Sequence, residues 1–287
     1  MFELHTRASA WALPLLACAL LAACSTLPDK PLQRMLLLGE VHDNPEGHHQ
    51  RYTYLQQLVE AGWRPAIVME QFDRERADDL RSAMQGCRDA DCVITKAGGK
   101  QWDWPLYRPV IDLALQHQLA VLAGNVSRAD AARVARKGLA AAFSPEDAAA
   151  FSFPDSITPQ LLSAQRDEVE SGHCGKAPEE MLTGFANAQI ARDVWMAKLL
   201  LENSRQGVVL IAGNGHVRRD WGVPYWLRLR GVKDFVSVGY VEAGTDKLST
   251  KFDVVRTVKP HQRPDPCDSL KIQVLPSGSS ITTKTGR

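Results

Sequence analysis

Five short apolar runs punctuate the chain: MLLLGE (35–40), AIVMEQ (66–71), LAVLAGN (119–125), VVLIAGNGH (208–216) and FVSVGYVE (235–242). Each is rich in Val, Ile or Leu and lacks the polar alternation of a half-buried strand. That pattern predicts strands covered on both faces, as in a parallel sheet. The segments between them repeat apolar residues at helical spacing. Tyr52, Leu55, Leu58 and Val59 share one face of a helix that stops at Gly62. Ser144-Pro145-Glu146-Asp147 supplies an N-cap, a proline at the first helical position and an acid at the third. Leu182, Phe185, Ala188, Val194, Trp195 and Leu199 mark a long central helix. The alternation of strand and helix predicts an α/β fold, with a mostly parallel sheet and helices on both faces.

Residues 151–180 interrupt this alternation with the proline-, glycine- and polar-rich stretches FSFPDSITPQ and SGHCGKAPEE. They are expected to form a lid or an inserted helical subdomain. From Lys259 the chain is rich in Pro, Ser, Thr and Gly, and residues 259–287 are read as a C-terminal tail, poorly ordered beyond Cys267. The α/β domain is therefore placed at 34–258, behind a linker at 24–33.

At the N-terminus, ASAWALPLLACALLAAC (8–24) is apolar but too short for an ordinary membrane span, which needs about 20 apolar residues. It ends in Leu21-Ala22-Ala23-Cys24, whose small residues suit a signal peptidase and whose thiol would carry the acyl chains. Cys18 is a poorer acceptor because the bulky Leu16 stands where Ala22 is small. This resembles bacterial lipoproteins, with residues 1–23 a cleaved signal peptide and Cys24 the lipidated residue. Such proteins bound for the outer membrane usually avoid Asp after the cysteine, and Ser25 follows here. The expected location is the outer membrane, on its periplasmic side.

Charge adds a limit. Residues 1–23 contain one acid, Glu3, and one base, Arg7, so the net charge of +1 survives their removal. A chain this near neutrality has no basic excess with which to bind nucleic acid. Apart from Cys18 and Cys24, the cysteines are Cys87, Cys92, Cys174 and Cys267, an even number for an oxidising compartment. Local spacing suggests Cys87–Cys92 and hence Cys174–Cys267, although three connectivities are possible in principle. Neither pair has the spacing of a zinc knuckle.

In parallel sheets functional groups gather just beyond the carboxyl ends of the strands. These ends are polar here: Gly39-Glu40-Val41-His42-Asp43-Asn44, then Glu70-Gln71, then Asn125, then Gly213-Asn214-Gly215-His216. Glu40 and His42 are two apart and share a side while the chain is extended. Two histidines with two carboxylates suit metal binding, acid–base work, or the lining of a pocket for a large planar cofactor. Alternatively, each histidine is a hydrogen-bonded structural residue, and Glu70 and Asn125 cap turns. His48 and His49 are expected to face solvent at the start of the first helix. His117, His173 and His261 receive no role.

The pairing of LLLGEVHDN with VVLIAGNGHVRRDWGVP, with AIVMEQF, WPLYRP and AQIARDVWMA between them, resembles the ChaN-like haem-binding lipoproteins over roughly residues 34–242. The same two strand-end motifs occur in a wider superfamily that includes Tiki-type metallopeptidases and erythromycin esterases, so they do not by themselves separate binding from catalysis. The resemblance implies a surface lipoprotein that binds haem for iron acquisition. It also implies a homodimer with haem at its interface and, as a further partner, an outer-membrane haem receptor. His42, His216, Asn125 and Asn214 become the candidate haem-binding residues. Arg108, Arg192 and Arg218, with Arg128 and Arg219, become candidate propionate partners.

One departure stands out. The relatives ligate iron with a tyrosine near the central helix, and no tyrosine occurs between Tyr107 and Tyr225. His42, Tyr107 and Tyr225 are the candidates to replace it, unless haem binding is weakened or lost. Two rivals accompany the haem expectation. One is a hydrolase of peptides or esters that holds a divalent metal through His42, His216, Glu40 and Glu70. The chain has no HExxH helix, GxSxG elbow or phosphate loop to support it. The other is a periplasmic adaptor with vestigial strand ends.

Overall fold

The computed structural model describes residues 35–245 and 250–269. The lipidation site Cys24, the signal peptide, the linker and the tail from 270 lie outside the described residues. Six strands form one sheet: β1 (Met35–Leu38), β2 (Ala66–Asp73), β3 (Val121–Asn125), β4 (Val208–Ile211), β5 (Val236–Glu242) and β6 (Val254–Val258). Their spatial order is β3-β2-β4-β1-β5-β6, and every neighbouring pair is parallel.

The unbroken apolar runs have the expected cause. Met35, Leu37, Ala66, Val68, Val208 and Leu210 enter one core, while Leu36, Leu38, Ile67, Met69, Val209 and Ile211 enter another. Alternate residues of a strand face opposite sides, so both faces must be apolar where both are covered. The first face is covered by α8 (Glu179–Asn203) and α10 (Val223–Leu229), and the second by α1 (Pro45–Glu60) and α4 (Trp104–Gln116).

Caps fix where the helices begin and end. Asn44 accepts from the Gly47 N–H at 2.9 Å, Pro45 opens α1, and the chain leaves it through Gly62 at φ +100°. Ser144 caps α6 (Pro145–Ala150) as its sequence foretold. In the interrupting segment, Thr158 caps α7 (Pro159–Gly172), whose buried Leu161, Gln165 and Val169 pack toward α8.

Two features were not legible in the sequence pattern. β6 escaped because it is a sheet edge and most of its residues are at least partly exposed. Residues 259–265 do not wander off as a tail. Asn44 Nδ2 donates to the Lys259 carbonyl at 2.8 Å, the Lys259 N–H donates to Glu46 at 3.0 Å, and Arg263 pairs with Asp43 at 2.7 Å. The chain therefore returns across the carboxyl ends of the strands. Both expected disulfides form, Cys87–Cys92 and Cys174–Cys267, and the second ties this returning segment to the end of α7.

Candidate functional site: two histidine–carboxylate pairs at the strand ends

In-register pairing of β1, β2 and β4 brings their carboxyl ends together. Glu40, Glu70 and Gly213 consequently meet. Gly213 donates its N–H to Glu70 Oε2 at 2.7 Å. A Cβ at Gly213 would lie 2.9 Å from His42 Nε2, and one at Gly39 would lie 2.2 Å from Asn214 Oδ1. Gly39 is required by this close approach, whereas at Gly213 only the His42 ring stands in the way.

His42 belongs to the first pair. Its Nδ1 donates to Glu40 Oε1 at 2.8 Å, and that oxygen also accepts from the Tyr107 hydroxyl at 2.6 Å and from Gln71 Nε2 at 3.2 Å. The other Glu40 oxygen pairs with the fully buried Arg51. Burial lowers the Arg51 pKa to about 10, so the guanidinium still carries its charge at neutral pH. With Nδ1 committed, the neutral ring offers Nε2. The ring is 48% exposed and rests edge-on against Trp102 at 5.1 Å.

His216 belongs to the second pair and is the reverse case. Its Nδ1 donates to Asp193 Oδ1 at 2.6 Å and its Nε2 lies 3.5 Å from Glu70 Oε1. Burial disfavours the imidazolium, but Glu70 and Asp193 outweigh it and raise its pKa to about 10. Burial likewise pushes Glu70 up, but His216, then His42 and the Gly213 N–H, hold it well below the usual carboxylate range. Burial pushes Asp193 up to about 6.

The two pairs face adjoining cavities of about 680 and about 660 Å³ that share His42, Gln189 and His216. Lys100, Arg128 and Arg192 line the first, with Trp102 as an aromatic wall. Burial lowers the Arg192 pKa, and its Nε donates to Asn125 Oδ1 at 3.0 Å. Asn125 in turn donates to Asp73 at 2.8 Å. His173, Val169 and Trp221 line the second.

The sequence-derived residues divide accordingly. His42, His216, Glu70, Asn125, Arg128 and Arg192 converge on the crevice. Asn214 reaches the second cavity, but its amide donates to the Tyr240 carbonyl at 2.6 Å and accepts from the Tyr240 N–H at 3.2 Å. Arg108, Arg218 and Arg219 line neither cavity. Arg108 pairs with Asp91, Arg218 with Glu168 and Asp220, and Arg219 with Asp253, so these propionate assignments are withdrawn.

Two iron-ligand candidates are also withdrawn. Tyr107 is fully buried, its pKa is pushed far up by burial, and its hydroxyl donates to Glu40. The Tyr225 hydroxyl donates to the Ser156 carbonyl at 2.7 Å and lines neither cavity. His48 departs from the solvent position expected for it. It is buried between α1 and α4, accepting from Arg51 at 2.9 Å and bonding the His42 carbonyl at 3.0 Å, and burial lowers its pKa.

The residues of the hydrolase expectation, Glu40, Glu70, His42 and His216, come together at the strand ends as histidine–carboxylate pairs. Among the described residues no group of three His, Cys, Asp or Glu side chains is arranged to hold a metal ion. Glu40 is bonded by Arg51, Tyr107, Gln71 and His42, and His216 lies between Asp193 and Glu70. Arg51, Lys100, Trp102, Gln189 and Asp193 were missed in the sequence. They come from helices and loops outside the strand-end motifs, and only a hydrophilic residue within an otherwise apolar helix face, as at Arg51 and Asp193, signalled any of them.

The fold and site define a parallel α/β protein with a histidine–carboxylate crevice at its strand ends. Over residues 30–227 the sequence matches the family described as haem-binding uptake, Tiki superfamily, ChaN, and the chain belongs to that family. No curated protein sequence matches it. Among solved structures, ChaN of Campylobacter jejuni with cofacially bound haem is 20% identical, with a TM-score of 0.65, over 78% of this chain and 86% of that one. An erythromycin esterase in its open conformation is 15% identical, with a TM-score of 0.43, over 77% of this chain and 72% of that one. At these identities the first likeness speaks for the fold alone.

Proposed function

We propose that this protein is a lipid-anchored, outer-membrane haem-binding protein, facing the periplasm, that serves haem and iron acquisition. The observation that carries the proposal is His42: an imidazole whose Nδ1 is held by a saturated buried carboxylate and whose Nε2 is left at a crevice ringed by Lys100, Arg128 and Arg192. Carboxylate–histidine pairs of this kind orient a metal ligand and raise its basicity. The residues suit haem. The crevice has the size range of cofactor sites, Trp102 supplies an aromatic wall, and Lys100, Arg128 and Arg192 would partner the carboxylates of a porphyrin.

Bound haem would supply a ferric centre open to axial ligation. The chain's own residues do the rest. His42 positions a nitrogen, Arg192 and its neighbours neutralise anionic groups, and the His216 imidazolium holds the floor of the crevice together. The half-exposed His42 ring leaves the crevice open to a second copy of the chain, and we include a haem-dependent homodimer in the proposal. An outer-membrane haem receptor as delivery partner belongs to the same proposal.

Titration of the purified protein with hemin, read by its visible spectrum and by sedimentation, tests binding and dimerisation. Binding with a shift from monomer to dimer is the expected result, and an unchanged hemin spectrum at every pH sinks the proposal. The anchor has its own test. Cys24→Ala should release the protein from membranes, because acyl chains on Cys24 are its proposed attachment. Retention of the processed Cys24→Ala protein in membrane fractions refutes the lipid anchor.

A further inference from the structure

His173 has the features of a metal-binding imidazole and no task in the site as described so far. It ends α7, where its Nδ1 lies 2.7 Å from the Val169 carbonyl. A carbonyl only accepts, so Nδ1 carries the proton and the neutral ring has its lone pair on Nε2. No group among the described residues bonds Nε2. The ring lies parallel to Phe185 of α8, with 5.3 Å between centroids and 11° between planes. Its plane and its tautomer are therefore both set.

The backbone around it is equally fixed. Cys174 at φ +59° and Gly175 at φ +65° turn the chain sharply away from α7, and the Gly175 N–H closes on the Glu170 carbonyl at 2.9 Å. The disulfide to Cys267 fastens this corner to the returning C-terminal segment. His173 lines the second cavity, which adjoins the cationic first cavity at His42, Gln189 and His216.

We propose that His173 is an iron ligand of this protein, presented from the end of α7 into the cavity it shares with His42 and His216. The assignment rests on the haem-binding function proposed above. Ligating histidines characteristically donate their second ring N–H to a carbonyl or carboxylate, which orients the ring and fixes the coordinating nitrogen. His173 meets this requirement through Val169 as His42 does through Glu40. Phe185, which cannot coordinate, instead backs the imidazole that can.

A histidine bonding back to its own helix also occurs as a plain helix cap, and the test separates the two roles. His173→Asn places an amide nitrogen near the position of Nδ1, keeping the bond to Val169 while removing Nε2. In the full-length protein in detergent, hemin titration of His173→Asn should show affinity lower by about tenfold or more and loss of the imidazole-type ferric spectrum. His173→Tyr should restore tight binding with a phenolate charge-transfer band. An unchanged spectrum and affinity in His173→Asn overturns the assignment, as does loss of the imidazole signature only in His42→Asn. If His173→Asn fails to fold, the presence or absence of the phenolate band in His173→Tyr decides. Failure of the wild type to bind hemin is a separate outcome, which removes the haem function and this ligand with it.

Discussion

His42 and His216 follow the strands β1 and β4, which lie side by side, and each is preceded by a Gly-x-x-His spelling, GEVH and GNGH. Their neighbours give them opposite chemistry. His42 has one carboxylate partner, already neutralised by Arg51, and half of its ring is exposed. His216 is closed between Asp193 and Glu70, whose charges raise its pKa to about 10. One histidine keeps a nitrogen for a ligand, and the other is a buried cation that joins α8 to β2. The comparison teaches that the motif selects the place, while the count of charges around the ring selects the role.

The largest change is expected from removing the cation behind His42. Arg51→Met leaves the Glu40 carboxylate buried without its counter-charge, which should cost about 3–5 kcal/mol of unfolding free energy. Urea unfolding would measure this, and the double variant Arg51→Met/Glu40→Gln should recover most of the loss. A loss below about 1 kcal/mol in the single variant would show that Glu40 is not held as described.

Next comes the His216 side. Asp193→Asn keeps a hydrogen-bond acceptor but removes a charge, and should cost about 1–3 kcal/mol while lowering the pKa of His216. NMR titration of the ring protons reads the latter directly. An unmoved His216 pKa would assign its stabilisation elsewhere.

The two carboxylate–histidine pairs also predict a pH dependence with a definite sign. His216 has a folded pKa of about 10 against 6.5 when free. Its contribution to stability is thus complete below about pH 6.5 and lost as pH rises through 10. Glu70 shifts the other way, so its contribution is complete above its ordinary value of 4.5 and lost in acid as it becomes protonated. Asp193, raised to about 6, contributes in the sense opposite to Glu70, with stability declining as pH rises from 3.8 through 6. Above pH 6.5 that change is largely complete and His216 governs the trend. The stability difference between wild type and His216→Gln should therefore shrink from pH 6.5 toward 10. A difference constant across that range would mean that His216 is neutral in the folded protein.

The smallest stability effect, and the sharpest on function, belongs to Gly213→Ala. The new methyl would sit 2.9 Å from His42 Nε2, at the movable end of a half-exposed ring. The ring should swing aside at a cost under about 1 kcal/mol, while hemin affinity falls by about tenfold. Equal hemin affinity in Gly213→Ala and wild type would show that the His42 ring position is irrelevant to binding.

Much of this was legible in the sequence, and particular residues show why the rest was not. Strands β1 to β5 announced themselves because burial on both faces forces continuous apolar runs, whereas the exposed edge strand β6 had no such constraint. The close spacing of Cys87 and Cys92 left Cys174 and Cys267 as partners. His48 was expected in solvent because only the three-dimensional packing of α1 on Tyr107 shows it to be enclosed. Arg108, Arg218 and Arg219 were indistinguishable from Arg192 by type, and only their distance from the crevice separates them.

What the sequence determined by itself was the α/β architecture and the family, and it pointed to the strand ends as the place of the site and to the Cys87–Cys92 pairing. These follow from local periodicity and residue type, which act over a few neighbours in the chain. The tertiary structure alone decided which histidine is a locked cation and which keeps a free nitrogen, which arginine faces the crevice, and that neither Tyr107 nor Tyr225 reaches it. Charge interactions and desolvation depend on distances of a few ångströms between residues such as His42 and Tyr107 or Glu70 and His216, and those distances come into being only when remote segments pack together.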